Sequence, residues 1–209
     1  MAKKIDSLAD PLTQLPARQA FEADWRLAVV GAGRAEMSVS VGMVDVDLFG
    51  KINAEQGREA ADALLVSLGQ RLVAAFPAPA RLYRCGGDAF AVIWEGVEKE
   101  EAFLRLENFR RADPSPEAGV RISAGLAAFP DDGQEAGQVL QKACEALYRA
   151  KATGRNKSCL PREEKMTPKT SYYTQGQLMG LRRLAEREGI SDAELLREAL
   201  NELLLKHFA

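Results

Sequence analysis

Two consecutive glycines, Gly86 and Gly87, constrain the fold of this 209-residue chain more than any other local feature. They stand between two β-prone segments, residues 81–85 and 90–94. Glycine reaches positive φ without a clash of a Cβ atom, so a glycine pair between such segments is typical of a β-hairpin turn. The sequence therefore predicts a tight turn, and Asp88 adds a carboxylate to it.

The apolar pattern on both sides of the hairpin predicts further regular elements. Strands are predicted where small and β-branched residues cluster, at residues 37–46 and 120–127. Helices are predicted where apolar residues recur at helical spacing, at residues 17–30, 54–75, 99–111 and 135–153. The order βαββαβ, with flanking helices, predicts an α+β protein, an α/β sandwich whose helices pack on a central sheet.

The amino-acid composition argues against several classes of protein. Hydrophobic residues make up 46% and the formal net charge is −2, which gives no reason by itself to expect nucleic acid or an anionic membrane. No apolar run approaches the ~18–20 residues of a membrane span, and the amino terminus has no apolar signal region. The three cysteines lack CxxC spacing, which argues against a zinc site and a disulfide framework. We expect a cytoplasmic protein with no membrane partner.

The composition changes towards the carboxyl end. Residues 159–168 hold two prolines, mixed charges and few apolar side chains, as an exposed linker does. Residues 169–174 are β-prone, and two amphipathic helices are predicted at residues 177–188 and 191–208. A strand and two helices in about forty residues cannot bury their own apolar faces. This terminal unit therefore predicts a homodimer.

Four charged residues suggest a site for a metal and a phosphate. Asp45 ends a predicted buried strand and Asp88 lies in the hairpin. Mg²⁺ favours one or two carboxylates together with phosphate oxygens. Lys151 and Arg155, one turn apart, have the point charge and the forked charge that suit a polyphosphate. Spacing alone is equally consistent with turn and capping residues.

Several separated segments, in the right order, resemble the GGDEF family of diguanylate cyclases. The matching family patterns are the GGDEF signature at 84–90, DxLTGLxNR at 10–18, DxDxFKxIND…GHxxGDxxL at 45–65, SxG at 123–125 and ALYxAKxxGRN at 146–156. The resemblance spans residues 7–158 and implies a palm-like βαββαβ sheet.

The resemblance also implies roles for individual residues. It assigns a metal ion to Asp45, Val46 and Asp88. It assigns nucleotide contacts to Asn53, Asp62, Leu48, Phe49, Lys151 and Arg155. Asn53 and Asp62 match the pair that recognises the guanine edge, where an amide and a carboxylate complement its carbonyl and amino groups. A helix cap and a solvated helix residue are the structural alternative for this pair.

Departures from the family pattern affect the chemistry. Ala89 replaces a glutamate that in the family helps to bind metal and to activate the attacking 3′-hydroxyl. Losing such a carboxylate commonly lowers the rate by about 10²–10⁴-fold. Other departures are at Gly50, Ala54, Arg58 and Ala61, and the inhibitory RxxD motif is absent at residues 77–80. We expect no catalytic residues, and Mg²⁺ only together with GTP.

The terminal unit, residues 169–208, resembles the ribbon-helix-helix family of DNA-binding dimers. In that fold a strand from each chain forms an antiparallel ribbon that enters the major groove. The resemblance implies base contacts from Lys169, Ser171 and Tyr173 and a phosphate contact near Ser191. Because only Lys169 gives the ribbon a charge, a plain dimerisation module is the alternative.

These expectations combine into a nucleotide-responsive transcription regulator with a GGDEF domain at 7–158, a linker at 159–168 and a ribbon-helix-helix domain at 169–208. Cyclic di-GMP is the favoured ligand because its two-fold symmetry matches that of a dimer, and GTP is the second. The alternatives are a weakly active diguanylate cyclase, a dimeric scaffold that binds no nucleotide, and a DNA-binding protein whose larger domain is inert.

Overall fold

A computed structural model describes residues 9–112, 120–162 and 169–208, without the side chains of 201, 202 and 204–208. These residues fall into two compact units, the first ending at Pro161 and the second beginning at Arg162. Among the described residues, Cys85, Cys144 and Cys159 are not joined to one another by disulfides. Among the residues that are described, no helix has both the length and the apolar character needed to cross a bilayer.

The first unit is built on one five-stranded sheet. Its strands are β1 (Val39–Val46), β2 (Arg81–Gly86), β3 (Ala89–Glu95), β4 (Ile122–Phe129) and β5 (Ser158–Cys159). They lie in the order β2-β3-β1-β4-β5, and every neighbouring pair is antiparallel except β4 and β5. Every residue of the central strand β1 is buried, as expected for a strand covered by helices on both faces.

Helices cover both faces of this sheet. They are α1 (Arg18–Ala35), α2 (Phe49–Gln56), α3 (Arg58–Ala75), α4 (Lys99–Arg111) and α5 (Ala136–Ala152). Val44 of β1 belongs to a core that includes Leu68 of α3 and Leu106 of α4. Successive residues of a strand point to opposite faces, so Asp45 lies on the other face, where α5 packs against β1 and β4.

The predicted α+β architecture and the βαββαβ order are confirmed, with three differences. The helix predicted at 54–75 is two helices, because Gly57, at φ 85°, separates α2 from α3. The helix predicted at 17–30 continues to Ala35. The two-residue strand β5 was not predicted, because its only strand character is a parallel pairing with β4 and it has no periodic pattern of its own.

The second unit contains the two predicted helices, α6 (Gln175–Glu188) and α7 (Asp192–Phe208). Thr174 and Gln177 form a capping box at the start of α6, and Gly189, at φ 71°, ends it. The predicted strand at residues 169–174 has no regular secondary structure in the single chain. A strand needs a hydrogen-bonded neighbour, which the predicted ribbon would receive from a second chain.

Candidate functional site

A buried ion pair lies where the end of β1 meets α5. The Lys151 Nζ atom is 2.7 Å from Asp45 Oδ1. Lys151 is 2% exposed and Asp45 is 7% exposed, so each charge needs the other to offset its loss of hydration. Burial and the nearby Asp88 carboxylate raise the pKa of Asp45, and the Lys151 ammonium opposes this rise. The site therefore contains an internal cation beside the Asp45 carboxylate.

Helix α5 approaches the sheet this closely because residue 125 is glycine. A Cβ atom on Gly125 would lie 2.0 Å from the Ala143 carbonyl oxygen and 2.1 Å from the Leu147 nitrogen. Both atoms belong to the backbone of α5, so the helix has no room for a side chain at this position. Lys151 lies one turn beyond Leu147 on the same face of the helix. The close packing thus brings its ammonium to Asp45.

The β2–β3 hairpin forms the next wall of the site. Gly86 and Gly87 adopt φ 98° and 56°, as the predicted turn requires. The buried Arg84 guanidinium donates hydrogen bonds to three carbonyl oxygens of the turn, those of Gly86, Gly87 and Ala89. Its carbon atom Cζ also lies 4.7 Å from the centroid of the Phe90 ring. Arg84 therefore fixes the turn from its inner side.

Ala89 is directly opposite Asp45 in the pairing of β1 with β3. Side chains opposite each other in an antiparallel pair lie on the same face, with Cβ atoms about 4.5–5.5 Å apart. A carboxylate at position 89 would therefore share the space around the Asp45 carboxylate. Asp88 is half-buried, and its Oδ2 atom has no hydrogen-bond partner among the described residues.

The three predicted metal ligands would offer the Asp45 and Asp88 carboxylates and the Val46 carbonyl. This set matches the oxygen chemistry of Mg²⁺, which takes its remaining ligands from phosphate and water. The Lys151 ammonium competes for Asp45, however, and Ala89 has no side-chain oxygen. Within the described ranges, no group of three or more His, Cys, Asp or Glu residues is placed to hold a metal. The donors suit a cation that arrives with a nucleotide.

A sharp turn connects β1 to α2. Leu48 has a left-handed conformation, φ 57°, and its carbonyl accepts the N–H groups of Lys51 and Ile52. Phe49, the first residue of α2, packs partly against the core. The first amides of a helix have no partner within the helix, so this turn can present N–H donors to an anion.

The predicted guanine-recognition pair lies on two adjacent helices. Asn53 is exposed on α2, and Asp62 is partly exposed on α3. The Asp62 carboxylate lies 3.8 Å from Nε of Arg58, one turn earlier on the same helix. Helices α2 and α3 contact each other, and both side chains keep the access to solvent that base recognition requires.

Arg155 lies in a tight loop after α5. Gly154, Arg155 and Asn156 have φ values of 110°, 59° and 48°. A left-handed conformation is unfavourable by roughly 1–2 kcal/mol for a residue with a side chain, so the surroundings must hold this loop. The Asp47 carboxylate contributes by accepting the Asn156 N–H at 2.8 Å.

Sequence reasoning missed the role of Asp47, which is 5% exposed. Its other carboxylate oxygen accepts the hydroxyl of Ser123 at 2.7 Å. The available signal was a second acid two residues after Asp45, at the end of the same buried strand. The alternation of a strand directs both carboxylates to the same face.

The family model described as "Diguanylate cyclase, GGDEF domain" matches residues 7–157. The chain belongs to the GGDEF family. It is 31% identical to the bifunctional diguanylate cyclase/cyclic di-GMP phosphodiesterase MucR of Pseudomonas aeruginosa, over 73% of this chain and 23% of that protein. It is 32% identical to the diguanylate cyclase DgcS of Shewanella oneidensis, over 73% of this chain and 52% of that protein. The chain thus covers about half or less of these curated relatives.

Solved structures agree with the GGDEF fold of the first unit. The GGDEF domain of DgcB from Caulobacter crescentus, in complex with c-di-GMP, has a TM-score of 0.69 at 24% identity, covering 76% of this chain and 98% of that chain. The active GGEEF domain of a diguanylate cyclase from Vibrio cholerae has a TM-score of 0.67 at 27% identity, covering 72% and 100%. Within the GGDEF signature this chain reads GGDAF at residues 86–90, so the departure falls at the position opposite Asp45.

The predicted DNA contacts belong to the second unit. Lys169, Ser171 and Tyr173 precede α6 and are exposed. Ser191 caps α7: its hydroxyl accepts the Glu194 N–H at 3.2 Å, and its own N–H donates to the Glu194 carboxylate at 3.0 Å. The Ser191 hydroxyl also donates to the Glu194 carboxylate at 2.7 Å, and this hydrogen bond and the one from the Ser191 N–H lower the pKa of Glu194. A phosphate bound at this helix start would meet that negative charge.

Proposed function

We propose that the GGDEF domain of this chain is a receptor for a guanine nucleotide, cyclic di-GMP first and GTP second, with impaired turnover. The observation that carries the proposal is the position of Ala89 directly opposite Asp45. A single change has removed a carboxylate from the reaction centre, while Asp45, Asp88 and the cations Lys151 and Arg155 are retained.

Recognition would use residues that this chain keeps. Asn53 and Asp62 offer an amide and a carboxylate to the guanine edge. The turn at Leu48 offers backbone N–H donors to a phosphate, and Arg155 offers a forked cation. A 30% identical solved structure concerns the interaction between a microbial GGDEF domain and cyclic di-GMP, with a TM-score of 0.66. That likeness supports the choice of cyclic di-GMP as first ligand.

Turnover would need more than binding. Joining two GTP molecules requires a 3′-hydroxyl to lose its proton and attack a phosphate, with displacement of pyrophosphate. A divalent cation bound with GTP would stabilise the developing negative charge. Asp45 already shares its charge with Lys151, and position 89 supplies neither a ligand nor a base. We expect the loss to be about 10²–10⁴-fold in rate relative to a complete site.

We further propose that the second unit dimerises and binds DNA as a ribbon-helix-helix module. Support comes from apolar side chains that α6 and α7 leave exposed, Leu178, Met179, Leu200 and Leu203. Tyr172, in the segment before α6, is 98% exposed. A second copy would cover these side chains and would pair residues 169–174 into a ribbon, with Lys169, Ser171 and Tyr173 as base contacts. A two-fold symmetric ligand bridging two GGDEF domains would then modulate the dimer.

The deciding experiment is calorimetric titration with cyclic di-GMP and, separately, with GTP plus Mg²⁺. We expect saturable binding that is abolished in the Asn53→Ala/Asp62→Ala variant. Gln70→Ala, an exposed position on α3, is the matched control and should bind as the wild type does. If the wild-type protein binds neither nucleotide, the receptor proposal is wrong.

A weakly active diguanylate cyclase is the second candidate, favoured by the retained Asp88, whose Oδ2 atom has no hydrogen-bond partner among the described residues. Incubation with GTP and Mg²⁺, followed by chromatography, would detect cyclic di-GMP. Ala89→Glu restores a carboxylate opposite Asp45 and should raise any rate by about 10²-fold or more. Efficient synthesis by the wild-type protein would replace the receptor proposal with this one.

Selection from random DNA, with and without cyclic di-GMP, tests the second unit. We expect enrichment of a site with two half-sites, weakened in the Lys169→Ala variant by loss of a positive charge. Lys142→Ala, on α5, is the control for charge loss elsewhere. A dimer that enriches no DNA would leave dimerisation as the function of this unit.

A further inference from the structure

We infer that Asp47, Glu107 and Arg110 are positioning residues that hold the loop at residues 154–156, so that Arg155 is preorganised for a nucleotide phosphate. The inference rests on the proposed nucleotide binding and extends it to α4, a helix without any assigned site residue. None of the three residues needs to touch the ligand. Each acts through Asn156, the neighbour of Arg155.

The loop cannot hold its own shape. Arg155 and Asn156 both adopt left-handed φ, at 59° and 48°, directly after Gly154 at 110°. This conformation is unfavourable for Arg155, which lacks the freedom of glycine and the local hydrogen bonding of asparagine. Within the loop, the Arg155 N–H donates to the Ala150 carbonyl at 2.9 Å, which ties the loop to α5. Further restraint comes from residues outside α5.

The inner anchor is Asp47 at the end of β1. It is 5% exposed, and its two carboxylate oxygens accept different donors. Oδ2 accepts the Asn156 N–H at 2.8 Å and Oδ1 accepts the Ser123 hydroxyl at 2.7 Å. A buried carboxylate with both oxygens hydrogen-bonded in this way fixes the backbone of Asn156 against the sheet.

The outer anchor is formed by two residues of α4. Arg110 Nη1 donates to the Asn156 side-chain oxygen at 3.1 Å. The same guanidinium donates from Nε and Nη2 to the two carboxylate oxygens of Glu107, both at 2.8 Å. Glu107, which is 8% exposed, also accepts the Ser158 N–H at 2.8 Å. Bidentate pairing of this kind sets the direction of the guanidinium as well as its position.

The two anchors hold different parts of Asn156, its backbone through Asp47 and its side chain through Arg110 of α4. The loop that carries Arg155 therefore has one preferred conformation before any ligand binds. If the competent loop fell from nearly full occupancy to about a tenth, the apparent Kd would rise about tenfold. The anchors differ from residues that contact the ligand directly, because a change in an anchor alters the affinity only through Arg155.

The test is a set of double-mutant cycles on the full chain. Glu107→Gln, Arg110→Lys and Asp47→Asn are conservative changes, and each is combined with Arg155→Ala. Cyclic di-GMP is the titrated ligand, with GTP plus Mg²⁺ as the second. We expect Kd to rise by about tenfold for each single variant, and by less than about twofold when the change is added to Arg155→Ala.

Hydrogen exchange supplies a readout that does not need a ligand. The amides of Asn156 and Ser158 donate to Asp47 and Glu107, so they should exchange faster in Asp47→Asn and Glu107→Gln respectively. Glu101→Gln is the matched control, because Glu101 pairs with Arg105 on the exposed side of the same helix. It should change neither Kd nor these amides.

Three results would overturn the inference. Unchanged affinity in all three variants would show that the anchors do not matter for binding. An equal rise in Kd with and without Arg155 would show that the variants act through general stability. If Arg155→Ala leaves binding unaffected, Arg155 does not contribute to binding and the anchors position no binding residue. A wild-type protein that binds neither nucleotide would instead overturn the proposed function, while the exchange data would still report whether the anchors hold the loop.

Discussion

In the first unit, buried charges are paired with one another, whereas in the second unit apolar side chains are exposed. Asp45 of the central strand β1 meets Lys151 of α5, and Glu107 meets Arg110 on α4. On α6 and α7, Ala185 and Leu195 are buried, while Leu200 is 54% exposed. The first unit therefore pairs its buried charges within itself. The exposed apolar side chains of the second unit support the proposed dimer, in which a second copy would cover them.

The largest expected effect tests the close packing of the first unit. Gly125→Ala places a Cβ atom 2.0 Å from a backbone oxygen of α5, which no rotamer change relieves. We expect a loss of about 4–5 kcal/mol in the free energy of unfolding. Chemical denaturation measures it. A loss below about 1 kcal/mol would show that α5 can move away from the sheet.

The second prediction removes the counter-charge of the buried carboxylate. Lys151→Met should lower the free energy of unfolding by about 3–5 kcal/mol, because it leaves Asp45 buried beside Asp88 without a cation. The double variant Asp45→Asn/Lys151→Met should recover part of this loss. If the double variant is less stable than Lys151→Met, the pairing is not what stabilises the site.

The third prediction concerns pH and the outer anchor. The hydrogen bond from Arg110 is the main cause that lowers the pKa of Glu107 from 4.5 to about 2. A carboxyl group with a depressed folded-state pKa stabilises the protein above its ordinary pKa, and this contribution fades as pH falls towards 2.

Between about pH 6 and about pH 3, the stability gap between wild type and Glu107→Gln should therefore narrow by about 2 kcal/mol. Urea denaturation across this range measures the gap. Glu101→Gln, the exposed control on α4, should show no such narrowing. A gap that is constant with pH would contradict the assigned pKa shift.

The smallest expected effect lies in the second unit. Gly180, inside α6, has nothing within 4 Å of a Cβ position. Gly180→Ala should therefore stabilise this helix by about 0.5–1 kcal/mol, through the lower conformational entropy of alanine in the unfolded chain. Thermal unfolding at several protein concentrations measures the change. A destabilisation that grows with dilution would show that a partner packs on this face.

Some features of the site were predictable from local sequence. The turn at Gly86 and Gly87 depends on backbone freedom that only the local residues determine. The break at Gly57 was missed because apolar residues continue at helical spacing on both sides of it. A periodic pattern reports which face is buried and does not report where the backbone bends.

The loop anchors were not predictable, because they join distant parts of the chain. Asp47, Glu107 and Asn156 are each separated by about fifty residues or more, and no spacing rule relates them. Glu107 and Arg110, at i and i+3 on one helix, have the ordinary pattern of an exposed ion pair. Their burial becomes visible only when α4 is packed beside β4 and β5.

The sequence alone determined the family, the βαββαβ order, and the absence of a carboxylate at Ala89, since these depend on residue identity and local periodicity. Tertiary structure decided what that absence means, because only the β1–β3 register places Ala89 opposite Asp45. Packing at Gly125 likewise decided that Lys151 meets Asp45. Contacts across a sheet depend on register and on the distance between layers, and neither is encoded in any one segment.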